Sequence, residues 1–156
     1  MDLPFASILV AEDDPHALSG YLEFLCRTGF SARGYLNGQE ALAAALEDVP
    51  DVVVTDVMMP GLDGFGMAAA LRADGRTRHV PVVGMTGHWT PDIQKQAQRA
   101  GLSAMLLKPC LPAHLLAEVQ RALRHAELLA AALGVEAGGA AAAMPVGLGN
   151  AARRRS

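Results

Sequence analysis

Short apolar runs alternate along the chain with longer segments in which apolar residues recur every three or four positions. The short runs are aliphatic and end in polar residues, as strands buried on both faces of a sheet do. The longer segments have the spacing of amphipathic helices. The pattern predicts strands at 7–11, 31–35, 51–55, 80–84 and 104–107, and helices at 15–28, 38–47, 65–72, 91–100 and 112–133. This alternation favours an α/β fold, a parallel sheet with helices on both faces.

The last predicted helix differs from the others in length. Its apolar stripe continues through Leu129 and Leu133, so we predict one domain over residues 5–133 with this helix extended past about residue 125. The distal stripe predicts a contact with a partner or a homodimer contact. Residues 134–156 are rich in Ala and Gly and end in Arg-Arg-Arg-Ser, which predicts a flexible tail with little to bury.

Composition narrows the class of protein. A net charge of −3 and a pI near 5.9 give no whole-chain attraction for nucleic acid or an anionic membrane. The two cysteines, Cys26 and Cys110, do not form the pattern of a disulfide framework and are predicted to be small core residues. The first residues lack the features of a signal peptide. We therefore expect a soluble, cytoplasmic protein that contacts neither membrane nor nucleic acid.

Polar residues follow four of the predicted strands at the point where each strand ends. Glu12 and Asp13 follow the first strand, Asp56 the third, Thr86 the fourth and Lys108 the fifth. Ligands of an open parallel sheet bind beyond the carboxyl ends of its strands, so these five side chains are expected to share one crevice.

The chemistry of this set indicates phosphoryl transfer. Three clustered carboxylates repel one another and need a cation, and oxygen ligands of this kind suit Mg²⁺. A lysine can hold a phosphoryl oxygen, and a threonine hydroxyl can donate a further hydrogen bond. Together these groups are typical of a site where an aspartate accepts a phosphoryl group.

Four segments carry a resemblance to a known family. They are Ile8-Leu-Val-Ala-Glu-Asp-Asp-Pro15, Val53-Val-Thr-Asp-Val-Met-Met-Pro-Gly-Leu-Asp-Gly-Phe65, Pro81-Val-Val-Gly-Met-Thr-Gly87 and Leu106-Leu-Lys-Pro-Cys110. In order and spacing they resemble the receiver domains of two-component response regulators, chemotaxis-regulator-like single-domain receivers in particular. The resemblance implies a flavodoxin-like receiver fold, a doubly wound five-stranded parallel sheet in the order 2-1-3-4-5.

The resemblance also implies a role for each matching residue. Asp56 matches the phospho-acceptor, Asp13 a direct Mg²⁺ ligand, and Glu12 a ligand acting through water. The backbone carbonyl of Met58 would complete the metal shell. Thr86 matches the hydroxyl that follows the phosphoryl group, and Lys108 the lysine of the site, with Pro109 in a cis peptide that aims it.

Two positions depart from the family pattern. Met105, three residues before the lysine, occupies the switch position where an aromatic residue is usual, and Cys110 replaces an aromatic after Lys108-Pro109. Methionine is flexible and apolar, so it can still turn inward as Thr86 moves. Both substitutions bear on transmission of the signal rather than on the acceptor.

The function these residues predict is a receiver rather than an enzyme. A histidine kinase or a His phosphotransfer protein would donate phosphate to Asp56, and the phosphorylated domain would bind a downstream target protein. One alternative is a phosphorylation-independent binding module on the same fold, which Met105 and Cys110 motivate. Another is an aspartate-nucleophile phosphatase, but such enzymes need a second acid two residues after the nucleophile, where this chain has Met58.

Several polar residues near the site have structural interpretations. Asp14 before Pro15 is predicted to cap a helix, and Asp63 to be a turn residue rather than a ligand. The five histidines have no metal-ligand spacing and are predicted to lie on the surface. His88 and Trp89 follow Thr86 closely and are candidates for the border of the pocket mouth.

Overall fold

The computed structural model describes residues 6–134. Five strands alternate with five helices: β1 (Ser7–Ala11), α1 (Pro15–Arg27), β2 (Ser31–Tyr35), α2 (Gly38–Glu47), β3 (Val52–Asp56), α3 (Gly64–Ala73), β4 (Val82–Thr86), α4 (Pro91–Ala100), β5 (Ala104–Leu107) and α5 (Pro112–Leu133). All strand pairs are parallel, in the order β2-β1-β3-β4-β5. The predicted fold class and strand order are confirmed. The predicted tail after Gly134 lies outside the described residues.

Strands β3 and β4 are shifted from their predicted ranges by one and two positions, whereas β1 and β5 have the predicted bounds. β4 begins at Val82 rather than Val80 because the Val80 N–H is donated to the Thr77 carbonyl in a turn. Pro81 has no N–H for the strand ladder. β4 therefore ends at Thr86 and β3 at Asp56, so both residues belong to the sheet and not to the loops after it.

The core has two parts, one on each face of the sheet. On one face, Ile8 and Val10 of β1 pack with Leu25 of α1 and with Leu115 and Val119 of α5. The other face is formed by alternate strand residues with helices α2 and α3, in a cluster that includes Leu9, Val53, Val82, Met67 and Leu71. Val52, Val53 and Val54 of the central strand β3 face these two apolar clusters on alternating sides. This part of the strand is therefore apolar at every position.

One core prediction is wrong. Cys26 is exposed, because it follows the buried Leu25 by one helical step of about 100°, which turns its side chain away from the sheet. Cys110 is partly buried and packs against the cluster between α1 and α5, as predicted. Both thiols are free.

Helix caps explain several of the polar residues. The Asp14 side chain accepts the His16 N–H at 3.0 Å at the start of α1, so its predicted capping role is confirmed. Asp63 caps α3 through the Gly66 N–H at 2.8 Å, which agrees with its assignment as a structural residue. The five histidines are all exposed, as predicted.

Helix α5 continues to Leu133 and ends at Gly134 in the left-handed conformation. Its inner face is buried, but three leucines near its end, Leu128, Leu129 and Leu133, are exposed. The predicted contact with a partner or second copy through these turns stays a prediction. Within residues 6–134, every helix is too short or too polar to cross a lipid bilayer.

Candidate functional site

The carboxyl ends of four strands bring the predicted site residues to one edge of the sheet. Glu12 directly follows β1, and Asp56 is the last residue of β3. Asp56 pairs with Met85 in the β3–β4 register, so Thr86 lies one residue further along the same edge. The backbone N–H of Lys108 donates to the Thr86 carbonyl at 2.7 Å and so continues the β4–β5 ladder past Leu107.

Three carboxylates meet at this edge. One oxygen from each of Glu12, Asp13 and Asp56 lies within 4.8 Å of the other two. Glu12 and Asp56 are nearly inaccessible to solvent, at 1% and 6% exposure, whereas Asp13 is exposed. Buried carboxylates this close are unfavourable unless cations compensate them, so the arrangement indicates a site for positive charge.

Lys108 supplies part of that charge. Its ammonium donates to Glu12 Oε1 at 3.0 Å and to Asp56 Oδ2 at 2.9 Å, which places it between the two buried carboxylates. Burial acts to lower the pKa of Lys108, but its hydrogen bonds to Asp56 and Glu12 outweigh burial and raise the pKa above its ordinary value. Lys108 is therefore a permanent cation of the site at physiological pH.

The remaining carboxylate oxygens accept backbone hydrogen bonds. The Asp14 N–H donates to Glu12 Oε2 at 3.1 Å, and the Met58 N–H donates to Asp56 Oδ1 at 2.9 Å. Burial raises the pKa of Glu12 against the opposing effect of the Asp14 N–H and Lys108, and the nearby charge of Asp56 adds to the rise. Each buried carboxylate is thus held in a fixed orientation by one lysine and one backbone amide.

The donor set fits a divalent metal ion. Three carboxylates against one ammonium leave two negative charges when all four groups are ionised. Hard oxygen ligands with few protein contacts are those that Mg²⁺ takes in proteins, where it keeps several waters. The acidic cluster can therefore bind a metal ion, with Glu12, Asp13 and Asp56 as the protein ligands on this edge.

Thr86 is at the same edge, and its hydroxyl is engaged elsewhere. The Thr86 Oγ1 donates to the His88 carbonyl at 2.9 Å and accepts the His88 N–H at 3.2 Å. The side chain is fully buried. The structure therefore brings Thr86 next to the site but holds its hydroxyl in the β4–α4 loop rather than on Asp56.

Met58 and Met105 occupy different surroundings. Met58 is exposed, and its N–H contacts Asp56, while the metal role of its carbonyl stays a prediction. Met105 lies on β5 opposite Gly84 of β4 and is partly buried. The Lys108–Pro109 peptide is cis, as the resemblance implies.

Sequence reasoning missed the close approach of Gly64 to the acceptor strand. A Cβ at Gly64 would lie 2.6 Å from the Asp56 carbonyl oxygen and 2.7 Å from Val57 Cα. Both atoms belong to the backbone and cannot move aside cheaply, so the first turn of α3 can pack behind Asp56 because residue 64 has no side chain. The Asp63-Gly64 pair was a visible signal, but alone it predicts a turn as readily as a close contact.

Comparison with known proteins addresses the family of this chain. Residues 8–120 match the family model described as the response regulator receiver domain. The transcriptional regulatory protein PrrA of Mycobacterium tuberculosis is 36% identical over 117 residues, which cover 75% of this chain and 49% of PrrA. The response regulator PleD of Caulobacter vibrioides is 38% identical over 115 residues, or 68% of this chain and 25% of PleD. The chain thus spans about half of one curated relative and a quarter of the other.

Solved structures give the same result. The chemotaxis protein CheY4 of Vibrio cholerae superposes with a TM-score of 0.74 at 28% identity, over 76% of this chain and 99% of CheY4. The receiver domain of the sensor histidine kinase PA1611 from Pseudomonas aeruginosa superposes with a TM-score of 0.70 at 26% identity, over 76% of this chain and 97% of that domain. That structure has a magnesium ion coordinated in its active-site cleft. By family match, fold and acidic pocket, this chain belongs to the response regulator receiver domains, the signalling modules of two-component systems.

Proposed function

We propose that Asp56 accepts a phosphoryl group from a phosphorylated histidine of a partner kinase or phosphotransfer protein. The observation that carries the proposal is the position of the Asp56 carboxylate. It lies at the end of a central strand, fixed by Lys108 Nζ on one oxygen and the Met58 N–H on the other, within the acidic cluster. A carboxylate held in this way is oriented for attack without further reorganisation.

The proposed step exchanges one bond to phosphorus for another. An oxygen of Asp56 forms a bond to phosphorus while the bond between phosphorus and the donor nitrogen breaks, and the electron pair of that bond returns to the imidazole. The product is an acyl phosphate on Asp56 and a free histidine on the partner. Later attack of water on the acyl phosphate releases inorganic phosphate and restores the carboxylate. The protein is then a signalling acceptor rather than an enzyme acting on a separate substrate.

The metal ligands in this proposal are Glu12, Asp13, Asp56 and the Met58 backbone carbonyl, with Mg²⁺ as the ion. When bound, the ion would neutralise charge on the phosphoryl oxygens and orient them toward the acceptor. Asp13 is the exposed member of the cluster and would contact the ion directly. Glu12 already accepts hydrogen bonds from Lys108 and from the Asp14 N–H. This supports the proposal that its side chain contacts the metal ion through a water molecule.

Lys108 and Thr86 have separate roles in the proposed step. Lys108 already donates to Asp56 Oδ2, so the same ammonium can hold an oxygen of a phosphoryl group on Asp56. Thr86 would have to give up its bonds to His88 before its hydroxyl could donate to the phosphoryl group. Movement of Thr86 away from His88 would alter the β4–α4 loop, and Met105 on the adjacent strand occupies the proposed switch position.

The proposed partners follow from this chemistry. A histidine kinase or His phosphotransfer protein supplies the phosphoryl group, and a downstream target protein binds the altered surface. We propose that residues 5–133 form the receiver domain and that the protein works in the cytoplasm, without contact to nucleic acid or membrane through this domain. The curated relatives include transcriptional and DNA-binding regulators, of which this chain matches about half the length.

Intact mass measurement tests the proposal. Incubation with Mg²⁺ and a small acyl phosphate is expected to add one phosphoryl group to the wild type and none to Asp56→Asn. Asp63→Asn is the matched control, because Asp63 lies in the following loop and caps α3, a role that asparagine also fills. The control should gain the same mass as the wild type. An unmodified wild type, or equal gain in Asp56→Asn, would overturn the proposal.

A further inference from the structure

Gly84 lies in the middle of β4, where three side chains occupy the space that a Cβ would take. A Cβ built there would lie 2.5 Å from Leu102 Cδ2, 2.6 Å from Met105 Sδ and 3.0 Å from Val57 Cγ1. Glycine is unfavourable inside a strand unless another group uses the space it leaves. We call this space the notch: the volume above Gly84 that is filled by Met105, Leu102 and Val57.

The position of the notch in the sheet relates it to the site. Gly84 pairs with Met105 in the β4–β5 register, and two residues further along the same strands Thr86 pairs with Leu107. The next ladder bond runs from the Lys108 N–H to the Thr86 carbonyl at 2.7 Å. The notch therefore lies two residues before Thr86 on the same face of β4, and three residues before Lys108 along the chain of β5.

Steric fit at the notch is mutual. Met105 lies across β4 because residue 84 has no side chain, and Gly84 is tolerated because Met105 and Leu102 cover it. An added methyl group would displace the Met105 thioether and the Leu102 methyl, both of which are flexible ends rather than backbone. The expected response is therefore a rotation of Met105 out of the notch and a change in how β5 packs on β4.

We propose that Gly84 is a positioning residue for the phospho-accepting site. By admitting Met105 into the notch it fixes β5 against β4, and this contact sets the relative positions of Thr86 and Lys108. The inference rests on the proposed function insofar as those two residues handle the phosphoryl group. It also gives Met105 a role, because its flexible thioether fills the space that Gly84 leaves.

A cycle of four proteins tests the proposal: wild type, Gly84→Ala, Met105→Ala and the double variant. The first measurement is the rate of phosphorylation by a small acyl phosphate with Mg²⁺. Displacement of reacting groups by a fraction of an ångström is costly, so Gly84→Ala is expected to slow phosphorylation about tenfold. In the double variant the added methyl occupies the space that the Met105 side chain leaves. The double variant should therefore be phosphorylated faster than Gly84→Ala, at a rate within about threefold of that of Met105→Ala alone.

Two further measurements on the same proteins do not depend on phosphorylation. Amide hydrogen exchange at Lys108 reports the ladder bond to Thr86, and peroxide oxidation reports exposure of the Met105 thioether. Both should be faster in Gly84→Ala than in the wild type. Lys108 exchange should slow again in the double variant.

Gly34→Ala is the matched control. Gly34 is also a strand glycine, on β2 at the opposite edge of the sheet, and a Cβ there would lie 2.7 Å from the ends of Leu18 and Leu22. The clash is of similar size and also involves flexible side chains. Gly34→Ala should therefore lose stability as Gly84→Ala does, while its phosphorylation rate stays within about twofold of the wild type. Met105→Ala should change the rate by the same factor with and without Gly34→Ala, because the two sites are not in contact.

The outcomes separate this inference from the proposed function. Slow phosphorylation of Gly84→Ala with recovery in the double variant supports the positioning role. Wild-type rate and wild-type Lys108 exchange in Gly84→Ala would overturn it, as would a loss that Met105→Ala leaves unrepaired. If the wild type accepts no phosphate, the proposed function fails, whereas hydrogen exchange and oxidation still decide whether Gly84 places Met105 and the β4–β5 ladder.

Discussion

Two partly buried cations, Lys108 and Arg72, lie at opposite ends of the sheet and have opposite kinds of partner. Lys108, at the carboxyl edge, donates to the carboxylates of Glu12 and Asp56. Arg72 of α3 lies near the start of β4 and donates to three backbone carbonyls, those of Arg78, Val80 and Gly101, at 3.1, 2.6 and 2.8 Å. Both cations donate to more than one acceptor, but only the acceptors of Lys108 are charged.

The difference in partners separates a functional cation from a structural one. Carbonyls are neutral and belong to the backbone, so the bonds of Arg72 join α3 to the chain before β4 and to the end of α4, and burial lowers the pKa of Arg72 without a compensating anion. A carboxylate can bind a metal ion in place of an ammonium, or it can share the ammonium with a phosphoryl oxygen. Loss of Lys108 should therefore affect chemistry first, and loss of Arg72 should affect stability first.

Lys108→Ala should give the largest effect. Removing one preorganised donor from a site where charge develops in the transition state typically costs about a hundredfold to a thousandfold in rate. The rate of phosphorylation by a small acyl phosphate should therefore fall by about that factor. The time course of intact mass at saturating Mg²⁺ measures it. A Lys108→Ala variant that is phosphorylated at the wild-type rate would remove the distinction between the two cations.

Asp13→Asn should weaken metal binding at the carboxyl edge. Loss of a direct carboxylate ligand is expected to raise the Mg²⁺ concentration for half-maximal phosphorylation by at least about tenfold, comparable with the effect of removing a partner of a metal ligand. Asp14→Asn is the matched control, because residue 14 caps α1 and asparagine caps equally well. Equal Mg²⁺ dependence in the two variants would contradict the ligand assignment.

Arg72→Ala tests the structural cation. Three backbone carbonyls lose a charged donor, so the free energy of unfolding should fall by about 2 to 3 kcal/mol, measured by urea denaturation. The phosphorylation rate of the folded variant should stay close to that of the wild type. A large loss of rate without a loss of stability would reverse the interpretation of this region.

Glu127→Gln sharpens the comparison at a partly buried carboxyl group on α5. Glu127 Oε2 is buried without a hydrogen-bond partner among the described residues, and burial, with the nearby Asp51 carboxylate adding to it, raises the pKa of Glu127 to about 8. The folded state therefore holds a proton that the unfolded state releases near pH 4.5. The stability that this proton contributes is complete below pH 4.5 and is lost as the pH rises toward 8.

Glutamine has no such proton to lose, so Glu127→Gln should flatten the pH dependence of stability. Because Glu127 is partly open to solvent, the gain of the variant over the wild type between pH 5 and pH 9 should be on the order of 1 kcal/mol. Urea denaturation at both pH values measures it. Parallel pH profiles for the two proteins would contradict the raised pKa.

Much of the fold follows from local sequence patterns. The apolar runs of β1 and β3 and the stripe of α5 have periods that fit one type of element each, and the structure confirms them. The start of β4 was predicted two residues early, because apolarity continues through Val80 and Pro81 while the hydrogen bonds of a strand do not. The predicted burial of Cys26 is wrong because neighbouring residues of a helix face different directions, and Cys26 directly follows the buried Leu25.

Contacts between distant segments were less accessible from the sequence. The strand ends predicted that Glu12, Asp56 and Lys108 would meet, and the structure adds which oxygen each donor contacts. The bonds of Thr86 to His88 and the fit of Met105 over Gly84 depend on side-chain rotamers and strand register. No local propensity encodes these contacts, because they depend on how distant segments pack in the folded chain.

Chemical trapping of the phosphorylated residue tests the central claim most directly. Borohydride reduces an acyl phosphate on aspartate to homoserine, and peptide mapping then identifies the residue that carried it. After phosphorylation by a partner kinase or a small acyl phosphate with Mg²⁺, homoserine should appear at position 56. Homoserine at position 13 or 63, or its absence from a phosphorylated sample, would contradict the assignment of Asp56 as the acceptor.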